Sequence, residues 1–209
     1  MASTSATLTF EKNAMFIVAN KLLQQLIDLL DSLPPSSDNH DDDDQVYTKP
    51  SIVMPGGTIG KHSRHIYDHF HLLLLHNPKL GSDPTNNNNR WIVDFDDRSR
   101  DRPMEVQHEN AVRSLKEMQQ KLHQAQAKIP LDTPLLLVAT IDDNDKIPKY
   151  HMESSFEREL WYCCMHAIHH YASIKAICIE HNVPVPQEFG VAPSTTLYHH
   201  QHQKMTGHL

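Results

Sequence analysis

No stretch of the 209 residues approaches the roughly 18 to 20 consecutive apolar positions that a membrane-spanning helix requires. The opening residues, MASTSATLTFEKN, lack both a basic flank and an apolar core, so no secretory leader is expected. Cysteine is scarce. Cys163, Cys164 and Cys178 are too few, and odd in number, for a disulfide framework, and they read as thiols of a reducing, cytoplasmic compartment. Positive charge is in deficit: 19 Lys and Arg against 26 Asp and Glu leave a net charge of −7, which argues against a phosphate-backbone partner. There is no G-x-S-x-G elbow for a serine hydrolase, and Pro55-Gly56-Gly57 does not make a phosphate loop.

What the chain does have is four amphipathic segments separated by biased tracts. Residues 34–48 carry prolines and an Asp run and read as a solvated acidic loop. Residues 81–89 read as an Asn-rich linker, and 199–209 as a His-rich, low-complexity tail. The first helix is predicted over about 9–32, with Ala19, Leu22, Leu23, Leu26, Ile27 and Leu30 on one side. The second spans about 58–76, with Thr58 as N-cap and a buried stripe of His62, Ile66, Phe70 and Leu73. The third covers about 104–128, entered at Pro103 with Glu105 in its first turn and Val112, Leu115, Met118 and Leu122 as its apolar edge. The fourth, about 155–181, opens on a capping box of Ser154 and Glu157 and closes before Pro184 and Pro186. Two short extended pieces interrupt them: Trp91–Val93, and Leu135–Ile141 pairing with Lys146–His151 across Asp142–Asp145. The expected class is all-α, a four-helix bundle with minor short strands.

Histidine is abundant, at 17 residues, and position sorts them. His199, His200, His202 and His208 lie in the tail; His40, His76, His108, His123, His151 and His181 fall near loops or on polar faces and read as surface groups. Seven remain, His62, His65, His69 and His71 on helix two and His166, His169 and His170 on helix four. His166 and His170 share an apolar stripe with Cys163, Ala167, Ile174 and Ile177, one turn apart, where two imidazoles can converge on one ion. In a bundle the third ligand comes from a facing helix. Spacing ranks His65 first, with His69 and His62 as alternatives, and leaves a hydrogen-bonded core of histidines as the rival reading. Cys163 reads first as a small core residue and second as a further ligand or reactive thiol. Tyr67 and Tyr171 read as packing residues that could also hydrogen-bond near an ion, and Asp94, Asp96, Asp97, Arg98 and Arg100 as a salt-bridged loop that could rim a polar substrate.

Several ordered motifs carry a family resemblance. Gly60-Lys61-His62-Ser63-Arg64-His65-Ile66-Tyr67-Asp68-His69-Phe70 resembles the second-helix motif of DinB-like (DinB/YfiT) proteins, and Glu159 through Ile174, with His166-Ala167-Ile168-His169-His170, resembles their fourth-helix motif. Val93–Glu105 and Pro186–Thr195 are similar to one branch of the same family, so the resemblance covers a domain spanning 9–198. It implies a four-helix bundle with a long crossover and one divalent metal ion on His65, His166 and His170, with His169 structural or behind the ligands. Zinc, nickel, iron and manganese all suit three imidazoles. Such a site keeps coordination positions open. The resemblance therefore implies a metal-dependent enzyme, a hydrolase or a thiol-dependent transferase, acting on a small-molecule substrate and forming a homodimer. The alternatives are a non-enzymatic metalloprotein whose ion pins the bundle, and a histidine-rich metal buffer worked by the tail.

Overall fold

The computed structural model describes residues 3–33, 46–75, 91–97, 103–144 and 146–206. They are mostly helical, with a small sheet, in the order α1 (Ser3–Asp31), α2 (Ile59–Leu75), β1 (Ile92–Asp94), a 3-10 turn (Pro103–Glu105), α3 (His108–Lys128), β2 (Pro134–Ala139), β3 (Tyr150–Ser155), α4 (Phe156–Glu180) and α5 (Pro193–Thr206). The Asn-rich linker 81–89, most of the acidic loop and Arg98–Arg102 lie outside the described residues.

The helices form where the apolar spacing demanded them. Phe16, Ala19, Leu23, Leu26, Ile27 and Leu30 of α1 are all buried, as are Ile66, Phe70 and Leu73 of α2 and Val112, Leu115, Met118 and Leu122 of α3. One core joins them: α1 packs on α3 and α4, and α2 packs on α3 and α4. At the start of α2 the Lys61 amide donates to the Thr58 hydroxyl at 3.0 Å, the expected cap. Gly60 matters to the packing of that end, because a Cβ there would collide with the Glu105 carbonyl. Helix α4 ends in a Schellman turn. Asn182 takes φ 57°, Val183 N donates to Cys178 O at 2.7 Å and Asn182 N to Ile179 O at 3.2 Å.

The sheet order is β1-β2-β3, with β1 parallel to β2 (Val93 opposite Leu137) and β2 antiparallel to β3 (Pro134 opposite Ser155, Ala139 opposite Tyr150). The returning strand therefore lies further along than Lys146–His151. The shift explains a second departure. Because β3 runs on to Ser155, α4 is capped by Ser155, whose hydroxyl accepts from Arg158 N, and not by Ser154, which instead donates to the Glu159 carboxylate at 2.5 Å. The third helix also starts later than expected. Pro103–Glu105 makes a separate 3-10 turn, and Glu105 leaves helix duty to bind Arg64 at 2.6 Å. The His-rich tail is helical as far as Thr206, and His108, expected on the surface, is 6% exposed with its ring edge-on to Tyr47.

Candidate functional site

Helices α2 and α4 face each other, and their histidines meet at that contact. His65 Nε2 lies 2.8 Å from His166 Nε2, and His170 Nε2 lies 3.1 Å from the same atom. These three, all half-buried, are the single group of potential ligands whose donor atoms converge among the described residues. Two features of α4 make the pair possible: positions 166 and 170 are one turn apart, and the neighbouring Cys163, Ala167, Ile174 and Ile177 are buried, which fixes the face they share.

The surrounding residues divide into a back and a side. Behind His170 stands His62, Nδ1 to Nδ1 at 2.7 Å. Beside His166 stand His69, at 4.1 Å between ring centroids, and Tyr162, stacked at 5.5 Å and 24°. His69 is buried and its Nδ1–H donates to the His65 carbonyl at 2.9 Å, which ties that nitrogen to its own helix. Phe95, just past β1, stacks flat on His69 at 5.0 Å and 13°, so the short parallel strand delivers an aromatic wall to one side of the cluster.

Burial also sets the protonation of the rings. His170 is pushed down to about 3, first by burial and then by its neighbours His166, His62, His169 and His69; His62 is lowered by burial and by His169. Both are neutral at pH 7, and a neutral imidazole has a lone pair to offer.

Other expected participants go elsewhere. Tyr171 donates to the Leu22 carbonyl at 2.5 Å and stacks on Phe189, and Tyr67 stacks on His71, so each serves packing. Cys163 is buried, and burial raises its thiol well above the ordinary range, which suits a core residue and not a reactive one. His169 is exposed. Arg64 bridges Asp68 and Glu105 away from the cluster, and Asp94 and Asp96 hold loops together through Lys149 Nζ and Thr140 N. Sequence reading missed Tyr162 and Phe95. Tyr162 stands four residues before His166, so helical spacing alone could have found it. Phe95 comes from a separate element and had no local signal.

Comparison with known proteins changes the family reading. No protein-family model matches the chain. No solved structure matches it. A curated relative does: the FK506-binding protein 5 of Rhizopus delemar is 50% identical over 104 residues. That stretch is 50% of this chain and 26% of the relative, so the chain spans about a quarter of the curated protein it matches. The similarity to an FK506-binding protein overturns the DinB-like assignment, which rested on a few short motifs. The metal-dependent hydrolase or transferase inferred from that family falls with it, as do the metal-stabilised-bundle and metal-buffer readings attached to it.

Proposed function

We propose that the helical body of this chain is a module of the kind found within FK506-binding protein 5, and that its working site is the cluster of His65, His166 and His170 holding one divalent metal ion. Zinc, nickel, iron and manganese are the candidates, since imidazole separates them poorly. The observation that carries the reading is the convergence of three Nε2 atoms at 2.8 and 3.1 Å. Ligands at roughly 2.0–2.1 Å from a tetrahedral ion stand about 3.3 Å from one another, within about half an ångström of these separations. His166 Nε2, between two others, carries either one proton or one in-plane lone pair, so it cannot satisfy two neutral neighbours at once; a shared cation would relieve all three. With three imidazole ligands a bound ion would have a coordination position to spare for a further donor. Residues 9–198 are read as one domain, and the ring of contacts among α1, α3, α2 and α4 supports a four-helix bundle with a long crossover.

The test is metal content of protein purified without a metal column, measured beside a His166→Ala/His170→Ala variant. About one equivalent in the first and little in the second is the expected result. An empty wild type that also takes up no added zinc or nickel removes the reading.

A second reading has the relative's name behind it: the chain itself binds FK506. Calorimetric titration of FK506 into the full chain decides it. Saturable heat would show that this chain takes that ligand; no heat would remove this second reading.

A further inference from the structure

We propose that His62 is a positioning residue that sets the tautomer of His170, and so decides whether His170 offers the cluster a lone pair or a proton; this rests on the metal reading above. His170 uses its two ring nitrogens in opposite directions, Nε2 toward His166 at 3.1 Å and Nδ1 toward His62 at 2.7 Å. A neutral ring carries one proton. For Nε2 to act as a ligand the proton sits on Nδ1, and His62 Nδ1 must then accept it. If His62 were protonated at Nδ1, the donor would point the other way, His170 would carry its proton on Nε2, and the cluster would lose a ligand.

The ring of His62 is held for that duty. It lies on α2 three positions before His65, so one helix supplies both a ligand and the group behind another. With Nδ1 accepting, the His62 proton belongs on Nε2, and that atom is buried with no hydrogen-bond partner among the described residues. An orphaned buried donor is costly and calls for an explanation in the surrounding structure. Gly57 lies close over it: a Cβ at that position would stand 3.3 Å from His62 Nε2 and 3.0 Å from the Met54 carbonyl, so a side chain there would crowd the ring. Imidazole ligands ordinarily use their second nitrogen on a carboxylate, a carbonyl or water; here the acceptor is another imidazole, which accepts only in one tautomer.

The experiment measures zinc affinity of the full chain, by competition with a chromophoric chelator, for wild type, His62→Ala and His62→Asn. Asn presents an amide oxygen near the Nδ1 position and accepts without a tautomer choice. His62→Ala is expected to lose about 10- to 100-fold in affinity, and His62→Asn to recover most of it. A purely structural role would weaken both variants alike. Wild-type affinity in His62→Ala, or equal losses in both variants, overturns the proposal. Should His62→Ala fail to fold, long-range 1H–15N spectra of zinc-loaded wild type give the answer directly: His62 protonated on Nε2 and His170 on Nδ1 supports it, and the opposite tautomer of His62 overturns it. A wild type that binds no zinc overturns the metal reading and this proposal together, whereas zinc binding unchanged by His62→Ala removes only the role of His62.

Discussion

Helices α4 and α5 are both rich in histidine, and only one of them gathers its rings. On α4, His166 and His170 face α2, sit half-buried and come within 3.1 Å of each other and 2.8 Å of His65. On α5, His199, His200 and His202 are exposed; His200 reaches the Glu188 carboxylate at 2.8 Å and His202 the Tyr198 carbonyl at 2.9 Å, each a separate local contact. Histidine density is therefore not the determinant. A facing helix is, because it takes the rings out of water and supplies the third nitrogen.

The comparison breaks most easily at the proposed metal ion, if the α2–α4 cluster holds one. Chelation should destabilise wild type by about 4 kcal/mol if the free ion stands near a thousand times its dissociation constant, which is a fall of ~8–16 °C in melting temperature for a chain of this size. A His199→Gln/His200→Gln/His202→Gln variant should show the same fall, and a His166→Ala/His170→Ala variant none. If the α5 variant loses the chelation effect, the two helices have been assigned the wrong way round.

A smaller effect separates the anchoring of the two helices. Tyr171 on α4 is buried and its hydroxyl donates to Leu22 of α1, whereas Tyr198 on α5 is exposed. Tyr171→Phe leaves the buried Leu22 carbonyl short of a donor and should cost about 1–3 kcal/mol in chemical denaturation. Tyr198→Phe should fall within about 0.5 kcal/mol of wild type.

The last effect is with pH, in metal-free protein. His170 is held down to about 3 and His62 below its ordinary value, both chiefly by burial. The unfolded chain takes up these protons below about pH 6.5 and the folded chain does not, so stability is full above that pH and declines as pH falls toward the folded values. Denaturation midpoints at pH 7.5, 6 and 5 should decline in wild type and decline less in His166→Ala/His170→Ala, where one of the depressed groups is gone and the crowding of the other is relieved. Equal slopes would mean that other groups carry the acid sensitivity.

Much of the architecture was legible in local patterns. The apolar spacing of Leu23, Leu26, Ile27 and Leu30 made α1, and Thr58 marked the start of α2 within a residue. The cap of α4 was misplaced by one residue because β3 runs on to Ser155, and strand length depends on pairing with Pro134, more than twenty positions back. The late start of α3 has the same character: Glu105 is taken by Arg64 of α2, a partner that no local window contains. The tail read as featureless because α5 has no apolar stripe to betray it. The family reading failed for a related reason. The DinB-like motifs cover only short stretches, while the 50% identity over 104 residues is to part of an FK506-binding protein.

By itself the sequence determined where α2 and α4 lie, where α1 ends though not its start at Ser3, six residues before the expected 9, and that His166 and His170 share one face, because those outcomes follow from backbone geometry within a few residues. The tertiary structure alone decided that His65 meets that pair, that His62 stands behind His170, and that Phe95 lines one side. Those contacts join residues tens of positions apart, and their existence depends on how whole helices and strands pack, which no periodicity within one segment encodes.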